Sequence, residues 1–156
     1  MKIELKSIKV LERASEETTC FEAVLYVDGK KEGVVSNEGR GGETRFPSYE
    51  LRKRIDEYAK TLPPITVFGH PLAQTADIVI DIIVADSATA KDVKRRLKNR
   101  VLFVRDGKLM ETGALAPAQM AEAIKQVAAK PNTRVLNGQP FEEVLAAVKA
   151  DAAVPR

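Results

Sequence analysis

The chain has 156 residues, of which 44% are hydrophobic and 30% charged, as in a globular protein with a sizeable core. Its 25 basic and 22 acidic residues give a net charge of +3, which excludes a strongly acidic nucleic-acid mimic but leaves an anionic partner open. The only cysteine, Cys20, excludes an intramolecular disulfide, and the only histidine, His70, leaves too few ligands for an ordinary Cys/His zinc site. No apolar run approaches the length of a membrane span. We therefore predict a cytoplasmic protein with no metal, no cofactor and no membrane partner.

The first part of the chain predicts a three-stranded antiparallel meander followed by a helix. Three stretches have the alternation or the residue types of strands: residues 3–11, 20–27 and 30–36. Asp28-Gly29 separates the second stretch from the third, and this pair favours a tight hairpin because it readily takes positive φ at both central positions. Ser48 predicts a capped helix start, and Pro63-Pro64 ends that helix. Residues 1–63 are thus predicted to form one unit.

Residues 64–156 are predicted to form a helix-rich unit, with a single compact domain for the whole chain as the alternative. Residues 65–71, which include His70, read as a plain connection. The β-branched residues of 77–84 favour a strand by propensity, but Asp77 and Asp81 are spaced for one face of a helix. We predict a buried helix here and a second helix over residues 87–99, capped by Thr89. The inward residues are expected to be Ile78, Ile82 and Val93.

The end of the chain repeats the hairpin pattern. Asp106-Gly107 lies between two short apolar stretches and predicts a second tight turn. Pro117 indicates the start of a further helix, residues 134–136 a short extended piece, and residues 141–151 a final helix, after which the tail from Ala152 is expected to fray. The predicted fold class is therefore α+β: a meander with a helix, then a helix-rich second half that contains a β-hairpin.

One loop is the main candidate for a binding site. It combines three glycines and two arginines between a strand and a helix start, and its predicted ligand-binding residues are Asn37, Gly39, Arg40, Gly41, Gly42 and Arg45. Glycines at positive φ can expose backbone N–H groups to an anion, and arginines add charge. The loop is not a phosphate-binding P-loop, because no Gly-Lys-Ser/Thr follows. The alternative is a connection whose glycines serve only its geometry.

Two other groups of residues are weaker candidates. Lys94, Arg95 and Lys98 form a basic patch at helical spacing, which could contact phosphates or be an ordinary solvated face. Asp77, Asp81 and Asp86 could approach a metal ion, but a polar stripe on an amphipathic helix is favoured. The sequence shows no catalytic constellation, so we favour a protein that is not an enzyme and assign no catalytic residue.

Five segments carry a resemblance to a known group of proteins: residues 20–23, 26–29, 35–42, 58–64 and 100–108. In them the chain resembles small proteins of bacterial phages, plasmids and their hosts, and the resemblance implies a bacterial or phage context without an activity. We expect a small non-enzymatic binding protein of a bacterial mobile element, either an inhibitor of a host protein or a sequestering protein for an anionic small molecule. The alternatives are a nucleic-acid-binding accessory protein and an enzyme that acts on a phosphorylated small molecule.

Overall fold

A computed structural model describes residues 1–152 of the chain. The fold is mixed α+β, with an N-terminal three-stranded antiparallel sheet followed by helices and a β-hairpin, which confirms the predicted fold class. The residues form two compact units: the first spans Met1–Ser87 and the second begins at Ala88. The boundary between units that the sequence predicts, at Pro63-Pro64, lies earlier in the chain. It precedes a helix whose first half completes the core of the first unit.

The sheet of the first unit has the strand order β1-β2-β3, with β1 Ile3–Val10, β2 Phe21–Val27 and β3 Lys30–Asn37. Asp28 and Gly29 connect β2 to β3 with φ of 50° and 81°, as the sequence predicts. Alternate residues of β2 point to one face, because side chains alternate along a strand, and those on the inner face are fully buried: Phe21, Ala23, Leu25 and Val27.

Two helices cover this inner face. Helix α1 spans Tyr49–Ala59, and the Ser48 side chain caps it by accepting a 3.2 Å hydrogen bond from the Leu51 N–H, which confirms the predicted cap. Helix α2 spans Ala76–Leu97. Leu51 and Ile55 from α1 join one buried cluster with three residues of α2: Ala76, Ile80 and Val84. Each fully buried Val, Leu or Ile side chain stabilises such a cluster by roughly 1.5–3 kcal/mol.

Between α1 and α2 the chain forms a small hairpin that the sequence does not predict. Strand β4 spans Ile65–Val67 and strand β5 spans His70–Leu72, and they pair antiparallel around a two-residue turn, Phe68-Gly69. The expectation of a plain connection over residues 65–71 is therefore wrong. The sequence does not indicate this turn because it carries phenylalanine where hairpins of this type usually carry Asn or Asp.

Residues 77–84 are helical, as predicted, but two details of that prediction are wrong. Helix α2 runs without a break through residues 87–89, because Ser87 and Thr89 are both tolerated inside a helix and the alanines on either side of Thr89 are strong helix formers. Ile80 lies on the buried face of α2, whereas Ile78 is half-buried and Ile82 is 39% exposed. With β-branched residues all around this stretch, the sequence does not single out the inward side.

The second unit has a three-stranded antiparallel sheet of order β7-β6-β8, with β6 Leu102–Arg105, β7 Lys108–Glu111 and β8 Thr133–Val135. Asp106 and Gly107 form the predicted turn, with φ of 49° and 76°. Helix α3 spans Pro117–Ala128 and helix α4 spans Phe141–Ala152. A core cluster of this unit contains five buried residues: Val93, Leu102, Leu136, Val144 and Val148. The predicted fraying of the tail falls on residues 153–156, outside the described residues.

Candidate functional site

The glycine loop that follows β3 is organised by a buried side chain at its start. Asn37 is 6% exposed. Its Oδ1 accepts hydrogen bonds of 2.8 Å from the Gly39 N–H and of 2.8 Å from the Thr18 hydroxyl. Its Nδ2 donates to the Gly42 carbonyl at 2.9 Å and lies 3.5 Å from the Thr44 hydroxyl oxygen. One amide thus fixes the loop at both ends and ties it to the segment that precedes β2.

Gly39 joins the glycine loop to that earlier segment. Its carbonyl oxygen accepts three backbone N–H groups, those of Glu16, Glu17 and Thr18, at 2.9, 3.0 and 3.3 Å. Gly39 is buried with φ of 82°, and a Cβ at this position would collide with the Ala14 carbonyl oxygen and lie 2.8 Å from the Cys20 Cβ. Only glycine fits here, for reasons of both space and backbone conformation.

The predicted anion nest is not open in this structure. The Gly39 N–H donates to Asn37, and the Gly41 N–H donates to the Thr18 hydroxyl at 3.3 Å, so both donors are used within the protein. Gly39 and Gly41 have positive φ, but Gly42 does not, and the prediction of positive φ is wrong for that residue. Gly39 and Gly41 therefore serve the geometry of the loop.

The two predicted arginines take different places. Arg45 pairs with Glu38 across the loop, with 2.7 Å between Nη2 and Oε1, and its backbone bridges to Ser36. Arg40 instead lines a surface hollow of about 480 Å³, and the other lining residues are Arg13, Ala14, Glu16, Cys20 and Glu38. Within the described residues neither Arg40 nor Arg13 forms an ion pair. The structure thus brings Arg40 together with Arg13, which follows from no pattern in the sequence.

A short 3-10 turn, Glu12–Ala14, carries Arg13. The turn is followed by the N–H groups that bind the Gly39 carbonyl, so the segment directly after Arg13 is hydrogen-bonded to the residue before Arg40. The hollow also contains two carboxylates, but that of Glu38 is neutralised by Arg45. Two guanidinium groups and the carboxylate of Glu16 remain, and these charges together favour an anionic group.

A second polar cluster joins the end of the glycine loop to the helices of the first unit. Arg52 on α1 bridges two carboxylates, at 2.6 Å from Glu43 and 2.9 Å from Asp77. Asp77 also accepts the Thr44 N–H at 2.7 Å, which confirms the expectation that Asp77 is paired rather than buried alone. The hydrogen bond and charge of Arg52 hold the pKa of Glu43 below its ordinary value, and the bond to Glu43 raises the pKa of Arg52.

Asp81 lies in a different setting. It lines a hollow of about 500 Å³ together with residues 15–19 and Ala85. Partial burial of its carboxylate, and then the charge of Asp77, raise the pKa of Asp81 above its ordinary value. Within the described residues no group of three or more His, Cys, Asp or Glu side chains is placed to hold a metal ion.

The predicted basic patch lies in the second unit, and its residues are partly engaged. The Lys94 ammonium lies 4.9 Å from the centre of the Phe141 ring, and the Arg95 Nη2 lies 2.5 Å from the Asp92 Oδ1. The hydrogen bond to Arg95 lowers the pKa of Asp92. Lys98 is exposed. One of the three predicted cations is therefore already paired with an acid.

The tip of the β4–β5 hairpin carries the most exposed large apolar side chain of the described residues. Phe68 is 98% exposed and has φ of 49°, which bulky residues rarely adopt. His70 on β5 is also exposed. The sequence gives one signal for this element, which is the absence of charged residues around it.

No helix within residues 1–152 has both the length and the apolar content required to cross a membrane. The resemblance to proteins of phages and plasmids stays a prediction, as does the cytoplasmic location. The chain matches no protein-family model, and neither the curated proteins nor the solved structures contain a significant match to it.

Proposed function

We propose that the chain is a small non-enzymatic binding protein that holds an anionic group between Arg13 and Arg40. The observation that carries the proposal is the contact of the Gly39 carbonyl with three backbone N–H groups. This contact fixes the loop of Arg13 against the loop of Arg40, so both arginines line one hollow, and neither forms an ion pair with any residue of the described range 1–152. A site whose backbone is already ordered loses less entropy when a ligand binds.

The charge and size of the hollow indicate the ligand class. Guanidinium groups present N–H donors in a planar fork that matches the oxygens of a phosphate or carboxylate. The pairing of Arg45 with Glu38 removes one of the two negative charges that would otherwise oppose an anion here. A volume of about 480 Å³ is in the range of small-molecule sites, and a phosphorylated small molecule is the best match.

The residues predicted from the sequence then have distinct roles. Arg40 contacts the ligand, Arg45 neutralises Glu38, and Asn37, Gly39 and Gly41 hold the loop in shape. In the expected bacterial or phage context, such a protein acts by sequestering its ligand.

The test is a titration with inorganic phosphate and with pyrophosphate at low salt, followed through the Nε–Hε signals of the arginines by NMR. The variants are Arg13→Ala, Arg40→Ala and the double variant, and the matched control is Arg54→Ala, an exposed arginine of α1. We expect the double variant to lose at least tenfold in affinity, with little change in Tm because exposed charges contribute little to stability. Equal affinity in wild type and double variant would refute the proposal.

A titration with a single-stranded oligonucleotide at several salt concentrations distinguishes the proposed function from the alternative, which is nucleic-acid binding. A nucleic-acid-binding protein would lose affinity steeply with salt and would depend on Lys94 and Lys98. The proposed site instead predicts phosphate and pyrophosphate binding that is unchanged in a Lys94→Ala, Lys98→Ala double variant.

A further inference from the structure

We propose that the β4–β5 hairpin is a second interaction element, which inserts Phe68 into an apolar pocket on a partner protein. This surface is separate from the Arg13–Arg40 hollow and does not depend on it. Three observations support the proposal: the exposure of the tip, the backbone conformation at Phe68, and the absence of charge around it.

The exposure is greatest at the tip of this hairpin, where it is nearly complete. Phe68 is 98% exposed, and Leu72 on the returning strand is 45% exposed. Pro71 between them is exposed as well. A single exposed apolar residue is ordinary on protein surfaces, but here an aromatic ring, a proline and a leucine share one eight-residue hairpin, Ile65–Leu72.

The backbone conformation shows that phenylalanine is a poor choice for the turn itself. Residues 1–152 contain three two-residue hairpin turns with nearly identical φ at the first position: 50° at Asp28, 49° at Asp106 and 49° at Phe68. Two of the turns use aspartate, which tolerates this conformation, and the third uses an aromatic residue, which does not. Because the ring is exposed, it gains nothing from packing within the chain. A strained and exposed residue of this kind points to a role outside the fold.

The charge pattern selects the class of partner. The chain contains 30% Asp, Glu, Lys and Arg, yet none occurs between Lys60 and Asp77, which enclose the hairpin. Nucleic acid or an anionic membrane surface would require cations here. Depletion of charge around an aromatic anchor is instead the composition of the buried centre of a protein–protein interface. The partner is therefore a protein with an uncharged apolar pocket.

The experiment places a photo-reactive benzoylphenylalanine at position 68 of the full chain and, as a matched control, at position 49. Tyr49 is also aromatic and 75% exposed, but charged residues follow it closely on α1. The two proteins are irradiated in a bacterial extract, and the protein joined at position 68 but not at position 49 is identified by mass spectrometry. Because capture alone proves nothing, that protein is purified and its Kd is measured against variants of the full chain.

We expect Phe68→Asn to weaken binding at least 30-fold without lowering Tm, because asparagine suits the turn better than phenylalanine. Phe68→Tyr keeps the ring and is expected to bind within fivefold of wild type, and Tyr49→Asn within threefold. The proposal is overturned if Phe68→Asn binds as tightly as wild type, or if no adduct is specific to position 68. It is also overturned if the only adduct is a second copy of the chain, with wild type dimerising in solution through Phe68.

Discussion

Replacing Asn37 with alanine tests whether one buried amide holds the two loops together. The change removes three hydrogen bonds of good geometry: to the Gly39 N–H at 2.8 Å, to the Thr18 hydroxyl at 2.8 Å and to the Gly42 carbonyl at 2.9 Å. At about 1 kcal/mol net for each bond, the loss is about 3 kcal/mol. The Gly39 N–H is buried and left without an acceptor, which brings the expected total to about 3–4 kcal/mol.

The assay is urea unfolding followed by circular dichroism, with the free energy of unfolding taken from the midpoint and slope of the transition. A loss of this size is a large share of the about 5–15 kcal/mol by which proteins are ordinarily stable. It corresponds to a drop in Tm of roughly 10 °C for a chain of this length. The control is Asn99→Ala, an exposed asparagine for which we expect a change below about 0.5 kcal/mol. If Asn37→Ala costs less than about 1 kcal/mol, the loops do not depend on this side chain.

Four further substitutions have definite expected results, and the second of them is a control for the first. Gly39→Ala should lower the free energy of unfolding by about 3 kcal/mol or more, since its Cβ collides with the Ala14 carbonyl at positive φ, whereas Gly42→Ala, with open space around it, should change it by less than about 0.5 kcal/mol. Asp81→Asn should stabilise the protein at pH 7 and not at pH 3, as urea midpoints at the two pH values will show. The raised pKa means that the fold disfavours the ionised carboxylate, so wild type loses stability as pH rises from about 3.8 through the folded pKa. Phe68→Asn should raise Tm, with a gain of about 1 kcal/mol from relief of the strained turn.

For each of these predictions, a different measured outcome would contradict the physical argument behind it. Equal losses for Gly39→Ala and Gly42→Ala would mean that the contact with the Ala14 carbonyl relaxes freely. A stabilisation by Asp81→Asn that is the same at pH 3 and pH 7 would mean that the charge is not its cause. A lower Tm for Phe68→Asn would mean that the phenylalanine ring contributes to folding.

The sequence predicts those parts of the fold that depend on local chemistry. Asp28-Gly29 and Asp106-Gly107 form the expected turns because positive φ is a property of the residue pair itself, and Ser48 caps α1 because its hydroxyl reaches an N–H only three residues away. The turn at Phe68 was missed for the complementary reason. Its residue type contradicts the local preference, and only pairing of the flanking strands holds it in place.

The candidate site could be predicted only in part, because its parts meet through tertiary contacts. The sequence identifies Arg40 and the glycines of one loop, but Arg13 reaches the same hollow only because the Gly39 carbonyl binds N–H groups from a distant part of the chain. Likewise, the sequence marks Arg45 as a cation without showing that Glu38 takes up its charge. The sequence shows which charged side chains the loops contain. The contacts between the loops determine which of these side chains are available to bind a ligand.

The position of Cys20 gives the protein a built-in chemical reporter. It is the only thiol of the chain, and it lines the hollow beside Arg13 and Arg40. A reagent such as iodoacetamide therefore labels one site, and a bound anion that covers the hollow slows that labelling. The Cys20 Cβ lies close to Gly39, because a Cβ added at Gly39 would come within 2.8 Å of it. An adduct on Cys20 would occupy part of the hollow that Arg13 and Arg40 line, so covalent modification of one sulfur atom is expected to compete with an anion for this site.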